Sequence, residues 1–517
     1  MTKISARKIN WGGVFLVLLL LQTLFLEYNR FLEREPMGKH KWRQCDTASF
    51  AWNFSESTYN LFAPQTNNLL WDGEGKVAAE FPLIYWVVGM LTRWLGNLPL
   101  VFRLVNLSLG FWGLWSLFQI KRRLWGEGSL AMLSTLLLFT SPLLVYYLYN
   151  FIPDVPSFAL ALVGWHQLLR HYEKGTPRTW YLAALSLGLA VLLKASTGIH
   201  LVIWLFLLSF EQLGWIQWGE KRKIFTLPVW QYWGALLLLV MAVLGWYSWA
   251  SWYSTGWEQD HFSGLISTMS EQPAGDWLYV IGILFTNHFR AYLPSLLMLL
   301  MVVLLGLCFS SLGRRHKLLF TLCLLGTLGS LAYLYLFFSL LSIHDYYLIV
   351  TMLVPTALLL TSGKILQTRF PQVFQAPALR LALFGLLLFC NYETRSTLRH
   401  DYWYKDQDPL HQALYQPDFQ SYLSEIGVTP DQKIISLPDP SPNITLYLMQ
   451  RRGWSLEGTP LQMCEAMEHF LTNYGASHLI ILDPALAEHP ELEPFTRRKV
   501  GTYDNVQIFD LSNMSHR

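Results

Sequence analysis

Asp46 stands in the stretch His40-Lys-Trp-Arg-Gln-Cys-Asp-Thr-Ala-Ser-Phe-Ala-Trp-Asn-Phe54, beside Arg43 and among aromatic side chains. A carboxylate so placed is kept ionised by its cationic neighbour while it is partly desolvated, and that combination makes an effective general base. The plainer reading is a solvated loop aspartate. Glu80 opens Glu-Phe-Pro-Leu-Ile-Tyr-Trp86, just ahead of Pro82. It reads either as a charge stabilised by a helix N-terminus or as a second carboxylate facing the cavity of Asp46. Asp154 follows Pro153 in a tight turn, where a helix-start role is the simpler expectation. Lys194 ends an apolar run with no partner nearby in the chain. An ionisable group there is costly, so function is its default reading and snorkelling the rival. His344, Tyr346 and Tyr347 can donate hydrogen bonds to phosphate oxygens, or can belong to an interfacial aromatic belt. Arg290, close to His288, is a weaker phosphate candidate.

These residues need a scaffold, and composition says which kind. Of the 517 residues, 53% are hydrophobic and 14% charged, against about 25% charged in soluble domains. The 23 Trp, 25 Tyr and 31 Phe suit a protein with two lipid–water boundaries. The five cysteines form no CxxC pair, so neither a zinc site nor a disulfide framework is expected. Lys3, Arg7 and Lys8 precede an apolar run from Trp11 to about Leu26 that lacks an Ala-x-Ala-like cleavage site. That run reads as a retained first span.

With about 20 apolar residues per crossing, spans are expected to begin near Trp11, Pro99, Leu130, Pro153, Trp180, Gly198, Gln231, Trp277, Leu318, Asp345 and Ala378. The expectation is a polytopic α-helical membrane protein of about eleven transmembrane helices. The pair flanking Lys194 to Gly198 is short enough to form one re-entrant unit. Lys and Arg concentrate in alternate turns, at 121–123, 170–178, 221–223, 314–317 and 364–369. The turns around Asn150 and His344 carry none. The positive-inside rule then puts the N-terminus in the cytoplasm and the C-terminal tail outside, in what reads as a bacterial plasma membrane. Every candidate above falls on the outer face. The first outer loop, 28–98, holds Arg30, Arg34, Lys39, Lys41 and Arg43. They read either as the solvated edge of an interfacial helix or as a basic wall for a phosphate on a lipid carrier.

Residues 1–393 are taken as the membrane domain and 394–517 as a small extracytoplasmic α/β domain. In the tail, strands are expected at 433–437, 478–482 and 506–511, and helices near 418–425, up to Met449, and at 464–474. The tail has neither GxGxxG nor a P-loop, so nucleotide binding is not supported, and nucleic acid is not an expected partner. Membrane lipids are.

At these residues the chain resembles the GT-C fold of membrane glycosyltransferases, above all the family of protein O-mannosyltransferases and lipid A aminoarabinose transferases. The likeness covers about Trp11 to Thr361. It rests on Arg43-Gln44-x-Asp46-Thr47-Ala48, Glu80-Phe-Pro-Leu-x-Tyr-Trp86, Pro153-Asp154, Leu193-Lys194 and His344-x-Tyr346-Tyr347. The resemblance implies inverting transfer of a sugar from a polyprenyl-phosphate carrier to a lipid, glycan or protein acceptor at the outer membrane surface. It makes Asp46 the base that deprotonates the acceptor hydroxyl. Lys194, Arg290, His344 and Tyr346 become residues that stabilise phosphate charge, and Arg43 and Tyr347 join them as substrate-binding residues. Glu80 and Asp154 become groups that position sugar or acceptor, or hold a divalent cation; no metal ligand set is assigned. Two departures stand out. Thr47 follows Asp46, so the Asp-Glu pair of eukaryotic protein mannosyltransferases is absent, and no Trp-Trp-Asp motif of an oligosaccharyltransferase is present. The competing classes are a transporter or flippase of a lipid-linked glycan, with charged or broken helices at mid-membrane, and a non-catalytic membrane scaffold.

Overall fold

The computed structural model describes residues 9–254, 268–405, 407–512 and 514. Lys3, Arg7 and Lys8 lie outside the described residues. A helix begins within a few residues of each expected start, because each apolar run carries its own punctuation. Asn97 caps Leu98–Trp125 by accepting from the Leu100 N–H, with Pro99 in the first turn, and Gly126 at φ 65° ends it. Asn10 caps Trp11–Phe25 in the same manner.

Crossing length is more restrictive than helix formation. Among the described residues five helices are long and apolar enough to cross a membrane, or up to seven if each of two bent pairs is one span. The expected count of about eleven is thus not reached on length and composition. Trp11–Phe25 and Pro177–Leu193 are apolar but short. Gly128–Leu138 and Pro142–Leu148 meet at 79°, with Pro142 opening the second helix, and Gly275–Tyr292 and Ser295–Phe309 meet at 100°, with Pro294 in the break. The stretch at Asp345 runs as a 3-10 helix to Met352 before Leu353–Arg369 continues it as α-helix. At 194–198 the chain passes through a short 3-10 turn, Ala195–Thr197, into Gly198–Gln212. Apolar side chains face outward along these helices, among them Leu16, Leu20, Leu237, Leu238, Met241 and Leu244. Lipid is the natural solvent for such a surface.

The basic turns converge at one end of the bundle. Arg123, Lys221, Arg315 and Lys364, from four separate turns, line a single cavity. Asp154 and Lys174 open and close one helix, about 30 Å apart at 1.5 Å per residue. That helix carries the candidate site at one end and the basic turns at the other.

The tail folds as a five-stranded sheet of β1 (Lys433–Leu437), β2 (Arg452–Ser455), β3 (His478–Ile481), β4 (Lys499–Tyr503) and β5 (Val506–Asp510), in the order β2-β1-β3-β5-β4. β1 is parallel to both β2 and β3, whereas β5 is antiparallel to β3 and β4. Sequence reading missed β2 and β4. β2 is the four residues Arg-Gly-Trp-Ser, without an alternating pattern, and β4 has a half-exposed surface. The sheet does not end at β2. The loop ahead of Leu98–Trp125 pairs with it in parallel at Asn68 and Gly453, through Leu69 N–H to Gly453 O at 2.7 Å and Gly453 N–H to Asn67 O at 3.0 Å.

Candidate active site

The helix Lys41–Glu56 is polar in sequence, yet it is almost wholly buried. Its environment explains this: one side packs on Leu83–Leu95, the other on the tail helix Ile444–Leu448. Buried polar groups need partners, and the tail supplies them. Asn443 Nδ2 donates to Asp46 Oδ1 at 3.0 Å, while Asn443 Oδ1 accepts from the Asn68 N–H at 3.0 Å. Ser49 donates to Asn67 Oδ1 at 2.7 Å, and Asn67 Nδ2 donates to the Arg451 carbonyl at 3.0 Å. Asp46 is 3% exposed. Burial pushes its carboxyl up to about 7, against the pull of Arg43 and of the Asn443 hydrogen bond. A carboxyl titrating there is suited to proton abstraction near neutral pH.

Arg43, one turn before Asp46, reaches Glu80 at 2.5 Å, and the Tyr85 hydroxyl donates to the same carboxylate. Burial opposes ionisation of Glu80, but Arg43 and Lys194 outweigh it and hold its carboxyl below the ordinary range. Glu80 therefore serves as a counter-ion; it does not sit at a helix start with only the N-terminus for company. Asp154 opens its helix as expected, and its carboxylate lies 3.0 Å from Lys194 Nζ. The partner that Lys194 lacks in sequence is thus forty residues upstream, on the neighbouring helix. Lys194 Nζ also stands 5.4 Å from the Tyr346 ring centre and 5.3 Å from that of Tyr347.

His344 packs its ring 5.2 Å from Tyr346 and 5.7 Å from His40. Burial, reinforced by His40 and Lys194, pushes its imidazole down to about 3, so it is neutral. Its Nδ1 is buried without a hydrogen-bond partner among the described residues. Arg290 is placed differently. It is exposed on Phe289–Tyr292, and among the described residues no ion pair or hydrogen bond joins it to the cluster.

Sequence reading passed over Asp345. Its fully buried carboxylate accepts from Tyr402 at 2.7 Å and Tyr147 at 2.5 Å, and it meets Lys39 Nζ at 2.8 Å and His40 Nε2 at 3.1 Å. It ties residues 39–40 to segments 142–148 and 399–403. The signal available was an aspartate opening an apolar run, which Asp154 shares. The basic stretch of the first loop is correspondingly divided. Lys39 goes to Asp345, Arg43 to Glu80 and Arg30 to Glu27, while Lys41 Nζ lies 3.1 Å from His411 Nδ1. Of the five, Arg43 belongs to the charge cluster beside Asp46. Among the described residues no three His, Cys, Asp or Glu side chains gather to hold a metal ion, and Glu80 and Asp154 are already matched by cations.

The crystal structure of ArnT from Cupriavidus metallidurans bound to undecaprenyl phosphate superposes on the chain with a TM-score of 0.59, at 12% identity, over 97% of this chain and 98% of that one. The chain has the GT-C fold. The apo form of the same ArnT gives a TM-score of 0.58 at 13% identity, over 98% of this chain and 99% of that one. GT-C likeness also shows in sequence. The model of the dolichyl-phosphate-mannose-protein mannosyltransferase family matches residues 79–249, a segment that holds Glu80, Asp154 and Lys194. No curated protein sequence matches the chain significantly.

Proposed function

We propose that this protein is an inverting glycosyltransferase that moves a sugar from a polyprenyl-phosphate carrier to an acceptor hydroxyl at the extracytoplasmic membrane face. The observation that carries the proposal is the buried Asp46, one helical turn from Arg43 in a cluster of two cations and two carboxylates. Asp46 takes the acceptor proton as the acceptor oxygen attacks the anomeric carbon. The bond from that carbon to the phosphate oxygen breaks, and the carrier phosphate leaves with the electron pair. A departing phosphate needs charge stabilisation more than a proton. Arg43 and Lys194 supply it, with the neutral His344 and the Tyr346 and Tyr347 hydroxyls as donors. Glu80 and Asp154 hold the two cations in place and tune how much positive charge faces the donor. Undecaprenyl phosphate in the ArnT crystal structure supports a polyprenyl carrier. The bland outer-loop reading of Asp46 predicts exposure, which its burial does not match.

The two bent helix pairs are what a flippase of a lipid-linked glycan would use. Their breaks, at 139–141 and 293–294, hold Phe139, Thr140, Ser141, Leu293 and Pro294, none of them ionisable. The deciding experiment supplies membranes holding this protein with polyprenyl-phosphate sugars and compares the wild type with Asp46→Asn. Transfer lost in the variant, with donor still bound, supports the enzyme. Equal glycan translocation by both proteins without transfer by either one would replace it with the flippase.

A further inference from the structure

Outside the candidate site, a cavity of 820 Å³ lies at the opposite end of the bundle. It lies within the range of about 300–1,000 Å³ typical of small-molecule sites. Its inner wall is apolar, built from Leu117, Leu162, Leu169, Leu319, Leu322 and Leu353. Its rim is basic: Arg123, Lys221, Arg315, Lys317 and Lys364 face two carboxylates, Glu173 and Glu220. Of the five cations, only Arg123 forms an ion pair among the described residues, with Glu173. Lys364 is half-buried and donates to the Leu124 carbonyl and Gln367 Oε1, both neutral acceptors.

The wall formed by residues 217–224 is held firmly. The buried Glu211 carboxylate accepts the backbone N–H groups of Trp218, Ile224 and Phe225 at 2.9, 2.7 and 2.9 Å. Trp218 Nε1 donates to the Leu207 carbonyl at 2.7 Å. Because Glu211 is spent on these amides, it does not neutralise the rim. A leucine chamber closed by uncompensated cations matches a molecule with a hydrocarbon body and a phosphate head. Basic pockets between helices on the cytoplasmic side suit anionic lipid headgroups, and the charge rule puts this end in the cytoplasm.

We propose that this cavity binds an anionic phospholipid of the cytoplasmic leaflet, with its phosphate among Arg315, Lys317 and Lys364 and its acyl chains against the leucine wall. The site is separate from the one beside Asp46; the helix Asp154–Lys174 lines it near one end and at the other carries Asp154, the partner of Lys194. The bound lipid would complete the packing between Leu98–Trp125 and Lys317–Leu336 at that end.

The full chain in phosphatidylcholine nanodiscs, with a trace of photoactivatable phosphatidylglycerol, provides the test. Crosslinks mapped by mass spectrometry should fall within 162–173 and 315–322. Unlabelled phosphatidylglycerol should compete at least tenfold better than phosphatidylcholine, and inorganic phosphate should not compete. The triple variant Arg315→Gln, Lys317→Gln, Lys364→Gln should lose at least tenfold in labelling. Leu322→Trp, which fills the chamber without altering charge, should lose labelling as well. Crosslinks elsewhere, or equal competition by phosphatidylcholine, overturn the proposal. Displacement by phosphate alone overturns it too, in favour of a soluble anion. The competition on the unaltered protein decides the matter even where a variant does not fold.

Discussion

Asn443, in the tail, donates its side-chain N–H to Asp46, on the helix Lys41–Glu56, across 397 residues of chain and a distance of 3.0 Å. The tail domain therefore supplies a wall of the candidate site, and the state of Asp46 depends on how the tail is seated. A hydrogen bond to a carboxylate favours its charged form. Asn443 thus offsets part of the burial that raises the Asp46 carboxyl.

Replacing Asp46 with Asn keeps the size and the Asn443 contact but removes the base. Transfer should fall by about 10²- to 10⁴-fold, the usual range for a general base. Donor binding, measured by retention of a radiolabelled polyprenyl-phosphate sugar, should change little. Full activity in that variant would remove Asp46 from the mechanism.

A base works only when ionised. With its carboxyl raised to about 7, kcat/KM should fall as pH drops through about 7 and level off above it. Stability should run the other way. The folded chain holds this proton more tightly than the unfolded one, whose carboxyl has its ordinary value of 3.8. The contribution is therefore complete below about 4 and is lost as pH rises through about 7. Rate profiles and thermal unfolding over that window check both signs.

Asn443→Leu removes the donor that favours the charged form, so the acidic limb of the rate profile should move to higher pH. A purely structural loss would lower the rate at every pH and leave the limb in place. The position of the limb separates the two.

Lys194→Met leaves the Asp154 carboxylate buried without its cation, a change that costs about 3–5 kcal/mol in comparable pairs. Adding Asp154→Leu should restore most of the thermal stability without restoring transfer. Recovery of transfer in the double variant would show that the pair is only structural.

The tail's side of the membrane can be read by labelling. Ser421 is exposed, Cys464 is partly exposed and the other four cysteines are buried. In a Cys464→Ser background, Ser421→Cys should react with an impermeant maleimide added outside intact cells. Reaction confined to inverted vesicles would reverse the proposed orientation.

Helices and their starts were legible in the sequence, because apolar runs closed by Asn, Pro and Gly are local signals that chain neighbours read alone. The alternation of basic turns was local too, and the structure gathers residues of all five around one cavity. The ionisable residues of the candidate site could be named one at a time. Their pairing could not be inferred, since Arg43 with Glu80 and Asp154 with Lys194 are chosen by helix packing over 37 and 40 residues. Asp345 was invisible as a junction because its four partners come from three distant segments. Strand β2 escaped notice because its neighbours, β1 on one side and residues 67–69 on the other, justify it more than its own composition does. The sequence by itself determined which groups can carry charge and where helices start and stop. Only the tertiary structure decided which charges meet, because an ion pair or a buried hydrogen bond is a property of two places in the chain, and packing alone brings them together.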